Sequence, residues 1–359
     1  MPQPTLMDFY TRSRAARKIL VVDLGFLGDS VHLVPALWEL KRHYPAAELH
    51  TLSAPVGAEV LRLAPCVDRP WAFPLGSPSP PWWRHWGLLL ALRRERFDAA
   101  FNFSGADRTL FITALAGARW SVAAAGGRKH FWSNWLIRDQ VPRPSPELPV
   151  YEQRRQALAA CGFELASPRW DLRLPEAAVR WAEARVPAGA VHFSINASTP
   201  LKEWPLEHWI ELARRLLAKE PSARIIATGS ANVREQGRLR SLAAGVGDDR
   251  LTVLPSGLTI AELAAALQRC RLHVGADSGV LHLAAAVGLP TVALFRRYSD
   301  ASAWMPVGPA HRILSVPCPC VNQRQPPCVA TGQAACLAQL QPAVVAETVF
   351  GVSAPFSTH

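Results

Sequence analysis

The chain has 359 residues, of which 49% are hydrophobic and 19% charged. That length predicts two domains, each large enough to bury its own core, and the apolar-to-charged balance excludes a disordered chain. Lys and Arg total 39 against 28 Asp and Glu, a formal net charge of +11, with a pI near 9.8. A basic excess of this size points to an anionic partner: nucleic acid, membrane head groups or a phosphorylated substrate. The lysines are only Lys18, Lys41, Lys129, Lys202 and Lys219, so the charge is almost all arginine, whose planar fork suits phosphate. A GC-rich genome accounts for the arginine equally well. No secretory signal and no apolar run of membrane-spanning length is visible. With seven cysteines, an odd number, the chain is expected to be cytoplasmic, with reduced thiols.

In chain order, residues 18–23 (KILVVD) form a short β-branched run, broken at Gly25–Asp29 and followed by a helical pattern through Leu33, Leu37 and Leu40. Residues 48–53 and 97–103 read as further strands, with a helix after the second. The proline-rich stretches 70–81 and 142–149 read as loops, and residues 151–161 as a helix. The rhythm restarts in the second half: strand 190–195, amphipathic helix 206–219, strand 224–228, helix 260–269, strand 272–275, helix 280–287 and strand 291–295. Alternation of this kind predicts two parallel-sheet α/β units, and ligands in such units bind at the carboxyl edges of the strands. The expected divisions are 1–170, a linker 171–188, 189–341, and a C-terminal helix and tail 342–359.

Three segments carry candidate chemistry. In residues 274–291 (VGADSGVLHLAAAVGLPT) an apolar strand ends at Asp277, and Ser278 and Gly279 open a helix. The unpaired amides of a helix's first turn hold a phosphate, Asp277 suits sugar hydroxyls, and His282 lies one turn on, on the face of Ser278. An ordinary N-cap is the competing reading for Asp-Ser-Gly alone. In residues 24–30 (LGFLGDS), Gly25 and Gly28 flank a strand-to-helix turn that lacks the third glycine of a dinucleotide site. Asp29 there is either a helix cap or a carboxylate placed to take a proton from a hydroxyl. In residues 196–205 (NASTPLKEWP), Ser198 and Lys202 sit in a strand-to-helix loop, while Gly229 and Glu235 beyond the next strand suit a nucleoside pocket.

Together, ILVVDLGFLGD, FDAAFNFSGADRTLFITALAGA, STPLKEWPLEHW and VGADSGVLHLAAAVGLPTVALF resemble glycosyltransferase family 9, the ADP-heptose:lipopolysaccharide heptosyltransferases, over nearly the whole chain. The resemblance implies a GT-B fold: two Rossmann-like α/β domains facing across a cleft, with a C-terminal helix crossing back to the first. It implies an inverting, metal-independent transfer of heptose from ADP-heptose to the inner core of lipopolysaccharide. Asp29 matches the family's base. Lys202, Asp277, Ser278, Gly279 and His282 match its donor-binding residues, to which Ser198, Gly229 and Glu235 are added. Gly28, Arg108, Arg128 and Lys129 are assigned to the acceptor side.

Between Trp82 and Arg138, nine basic residues oppose Glu95, Asp98 and Asp107, and Trp82, Trp83, Trp86, Trp120, Trp132 and Trp135 are interleaved with them. With the resemblance, this favours an anionic glycolipid acceptor and peripheral contact with the cytoplasmic face of the inner membrane over nucleic acid. Cys318, Cys320, Cys328 and Cys336 cluster late. They are a candidate set for structural zinc or iron, though C-x-C is not the usual knuckle. A metal there would fit the alternative acceptor, an autotransporter-type protein. A non-catalytic nucleotide-binding module is the reading from another class.

Overall fold

The computed structural model describes residues 9–75, 85–124, 137, 139–297, 301–318, 328 and 332–352. The chain divides into two units, Met1–Arg173 and Leu174–His359.

The first unit runs α1 (Phe9–Ser13), β1 (Lys18–Val22), α2 (Leu27–His43), β2 (Glu48–Ser53), α3 (Pro55–Arg62), β3 (Arg69–Ala72), α4 (Trp86–Arg94), β4 (Ala99–Asn102), α5 (Asp107–Ala116), β5 (Trp120–Ala124), β6 (Asp139–Val141) and α6 (Val150–Ala159). The strands make one parallel sheet in the order β3-β2-β1-β4-β5-β6. The unbroken apolar run of β1 is explained by burial on both faces. Ile19 and Val21 join one core cluster with Leu33, Leu37 and Leu40 of α2, and Leu20 and Val22 join another on the opposite face. One stretch expected to be loop is partly strand: Pro70 and Trp71 lie in β3. Because β3 is an edge strand, its proline removes no donor that an inner strand would need. The rest of that stretch, from residue 76, lies outside the described residues.

The second unit runs α7 (Glu176–Arg185), β7 (Ala190–Ser194), α8 (Leu206–Lys219), β8 (Ile225–Ala227), α9 (Val233–Val246), β9 (Leu251–Val253), α10 (Ile260–Gln268), β10 (Cys270–Ala276), α11 (Gly279–Ala286), β11 (Thr291–Arg297), β12 (His311–Pro317) and α12 (Pro342–Gly351). Its parallel sheet, β12-β11-β10-β7-β8-β9, repeats the strand order of the first. Most of the segment expected to be linker is the helix α7. The C-terminal helix α12 packs on the core of the second unit. Val345, Ala346 and Val349 share a core with Trp209, Leu212 and Leu216 of α8, and the Lys219 ammonium stands 3.9 Å over the Phe350 ring. In both sheets the strand order reverses between the first and fourth strands. Loops leaving their carboxyl ends part there and leave room for a ligand.

Candidate functional site

In the second unit, β7 and β10 are neighbours at this switch point, so the loops after both strands, and after β8 beside β7, gather at one sheet edge. Asp277 follows β10 and is buried; Lys202 Nζ approaches its Oδ2 to 2.6 Å. Lys202 ends a 3₁₀ turn, Pro200–Lys202, which opens with the Thr199 side chain accepting from the Leu201 amide. Ser198 is exposed on the same loop. Ser278 occupies the N-cap of α11 in extended backbone, yet its hydroxyl makes no capping bond. That Oγ is buried and has no hydrogen-bond partner. A buried hydroxyl normally finds one, so an unmatched hydroxyl beside free helix amides suits an anionic group. Gly279 is the first helical residue. His282 is buried one turn on, its ring 5.5 Å from that of Trp304. Burial pushes its pKa down to about 4, with Asp277 opposing and Lys202 reinforcing the shift, so the ring is neutral at pH 7.

Gly229 follows β8 in a crowded position: a Cβ there would come within 2.8 Å of Leu239 Cδ1, 3.1 Å of Asn196 Nδ2 and 3.4 Å of Glu235 Oε2. Glu235 accepts the Ser230 amide at 2.8 Å. Asn196 Nδ2 is buried without a partner, while its Oδ1 accepts from Arg238 Nε at 3.1 Å. Buried Glu203 supports the loop, accepting from the Ala197 amide at 3.0 Å and from Arg234 at 2.7 Å.

In the first unit, Asp23 leaves β1 and Asp29 is the third residue of α2. Asp29 serves as cap and as polar site at once. Its Oδ2 accepts the Phe26 amide at 2.9 Å, and its Oδ1 accepts from Arg154 Nη2 at 3.3 Å. Gly25 is required here, because a Cβ would fall 2.3 Å from the Asp29 Cβ. Burial raises the Asp29 pKa; the Arg154 charge opposes this and the Asp23 charge adds to it. Gly28 is buried in the first turn of α2, and Phe26 is 81% exposed beside it. Arg108 is exposed on the first turn of α5. Arg128 and Lys129 lie outside the described residues.

Sequence reasoning missed two arginines. Arg154, on α6, is buried and donates to Asp23 Oδ2 through Nε at 3.1 Å and Nη2 at 2.8 Å, so a single guanidinium bridges Asp23 and Asp29. Arg296, near the end of β11, is also buried; its Nη1 donates to the Leu201 carbonyl at 2.8 Å and its Nη2 to Cys318 Sγ at 3.2 Å. It thereby pins the turn that carries Lys202. For Arg296 the signal was an arginine inside an otherwise apolar strand; Arg154, in the polar helix α6, carried none.

The late cysteines only partly converge. Cys318 packs with Cys328 and Leu201, and against the core that contains Cys336. Among the described residues no group of three or more His, Cys, Asp or Glu is arranged to hold a metal ion. Arg296 faces Cys318 and Cys336 together. Cys320 lies outside the described residues.

Comparison with known proteins accords with this geometry. A model of "Glycosyltransferase family 9 (heptosyltransferase)" matches residues 85–333. The lipopolysaccharide heptosyltransferase 1 of Pseudomonas aeruginosa is 28% identical over 291 residues, covering 77% of this chain and 78% of that protein. The solved Escherichia coli ADP-heptose lipopolysaccharide heptosyltransferase II superposes with a TM-score of 0.74 at 19% identity, over 93% of this chain and 98% of that one. An E. coli heptosyltransferase solved with ADP-2-deoxy-2-fluoro heptose gives 0.72 at 20% identity, over 94% and 100%. The two repeated sheets are thus those of a GT-B fold, and the chain belongs to glycosyltransferase family 9, the heptosyltransferase family.

Proposed function

We propose that this chain transfers heptose from ADP-heptose to the inner core of lipopolysaccharide, with inversion at the anomeric carbon. The observation that carries the reading is the buried, unpartnered Ser278 hydroxyl at the N-terminus of α11, beside Lys202 and Asp277. This corner suits a sugar diphosphate: helix amides and Lys202 for the pyrophosphate, Asp277 for heptose hydroxyls, and the Gly229, Glu235 and Asn196 pocket for the nucleoside. A relative of the same fold was solved with an ADP-heptose analogue, which supports this choice of donor.

In the proposed displacement Asp29 takes the proton of the acceptor hydroxyl as that oxygen attacks the anomeric carbon and the C–O bond to ADP breaks. The raised Asp29 pKa suits a base, and the charge appearing on ADP is met by the α11 amides and Lys202. The route assigns no step to a metal. The acceptor is an anionic glycolipid, met at the cytoplasmic face of the inner membrane, with Arg108, Arg128 and Lys129 on the acceptor side.

The test is incubation with ADP-heptose and a panel of truncated core acceptors, with products weighed by mass spectrometry. Asp29→Ala is expected to abolish transfer while leaving ADP binding intact, since general-base help is worth about 10²–10⁴-fold. Near wild-type turnover in that variant overturns the assignment.

A further inference from the structure

Four of the large apolar side chains most exposed on the described surface lie on two adjoining helices. On α4, Trp86 is 42% and Leu90 47% exposed; on α5, Phe111 is 48% and Leu115 40% exposed. Each pair is spaced i, i+4, so it forms one stripe on its helix. The two helices cover the same face of the first sheet: Leu92 of α4 shares a core cluster with Ile112 and Ala116 of α5. Arg93 Nη1 donates to the Leu115 carbonyl at 3.2 Å, tying the helices side by side. The exposed stripes of these two adjoining helices therefore lie on the side away from the sheet.

The margin of this surface is basic. Arg94, the last residue of α4, and Arg119, just beyond α5, are exposed, and Arg119 stacks at 4.5 Å on Trp120. The acidic residues nearby are largely committed elsewhere. Glu95 is held by Lys18 at 2.9 Å and by Arg69 at 2.6 Å, and Asp98 by the Arg17 and Lys18 amides at 2.7 and 3.0 Å. Among the described acidic residues between 85 and 124, Asp107, in the first turn of α5, is the exposed one. Amphipathic helices with aromatic and leucine side chains on one face and arginine at the rim lie in a bilayer interface and favour anionic lipid.

We infer that the outward face of α4 and α5 is a membrane-docking surface that seats the first unit on an anionic bilayer. The inference rests on the reading that the acceptor is a membrane glycolipid, and it names the face that would hold the enzyme against the bilayer carrying it. It needs no transmembrane helix, and no described helix is long and apolar enough to be one.

The test is co-sedimentation of the full chain with phosphatidylethanolamine vesicles, with and without phosphatidylglycerol, at low and high salt. The wild type is expected to bind the phosphatidylglycerol vesicles. Leu90→Glu with Leu115→Glu should reduce binding at least tenfold at both salt concentrations. Arg94→Glu should reduce it by about fivefold or more at low salt only, because each surface arginine contributes about that factor. Transfer to a soluble, deacylated core acceptor is followed in parallel and should be unchanged in all variants. A wild type that binds vesicles but is inactive in transfer, with binding lost in the double variant, would sink the transfer reading and leave the docking surface standing. Undiminished binding by the double variant, or a wild type that ignores phosphatidylglycerol vesicles, overturns the docking surface. So does sedimentation showing that the double change splits a dimer of the wild type, which would assign this face to a second copy of the chain.

Discussion

Replacing Arg154 by methionine tests whether the charge balance around Asp29 sets the reaction's pH dependence. The guanidinium lies 2.8 Å from Asp23 and 3.3 Å from Asp29. At 3.3 Å the attraction for one carboxylate is about 5 kcal/mol with an effective dielectric of 20 and about 1 kcal/mol in bulk water. Arg154 and Asp23 are buried while the Asp29 side chain is one quarter exposed, so the Asp29 contribution lies between those limits. Methionine keeps the bulk and removes the charge, leaving two neighbouring carboxylates with no cation between them. Breaking a buried pair in this way costs about 3–5 kcal/mol, and part of that is relieved when a carboxylate takes up a proton. The Asp29 pKa, already raised by burial, rises further. The acid limb of the kcat/KM profile then moves to higher pH. At pH 7 kcat/KM falls at least tenfold, recovering in part at alkaline pH, and Arg154→Lys falls less than Arg154→Met. Steady-state kinetics from pH 5 to 9, with a melting curve for each variant, decides the matter. An activity loss uniform across pH, with the acid limb unmoved, would refute the coupling and reduce Arg154 to a structural part.

Arg296→Met is expected to raise the donor KM about tenfold with kcat little changed. It leaves the Leu201 carbonyl unpaired, which costs about 1–3 kcal/mol, and frees the turn carrying Lys202; an unaltered KM would show that the turn holds without it. Stability is expected to fall as the solution is acidified below pH 6.5. Burial lowers His192 to about 3 and His282 to about 4, so between those values and 6.5 the unfolded chain binds protons that the folded chain refuses. Each such histidine then removes up to about 1.4 kcal/mol per pH unit. Urea midpoints at pH 7, 6 and 5 check this, and a midpoint that does not move would contradict it.

Much of the architecture was legible because its signals are local. The run at β1 is apolar without alternation because both its faces are covered, and the joint of β10 with α11 was visible as an apolar strand ending in Asp277-Ser278-Gly279. The family resemblance assigned Lys202 and Asp277 each to the donor, without pairing them, and the structure brings the two to 2.6 Å. What stayed hidden was the partnering of charges far apart in the chain. In the polar helix α6, no local pattern marks Arg154 or Arg155 for burial. Both are buried, Arg154 against Asp23 and Asp29 and Arg155 against Glu39 at 3.1 Å. The fold of β3 was missed because a proline run reads as loop unless the strand is known to lie at an edge. Sequence alone determined the alternation of strands and helices, hence two parallel sheets with their loops at one edge, since burial on two faces and helix periodicity are written residue by residue. Only the tertiary structure decided that Arg154 sits against the candidate base and Arg296 behind the candidate donor loop, because a buried charge is placed by a partner whose distance along the chain no local pattern encodes.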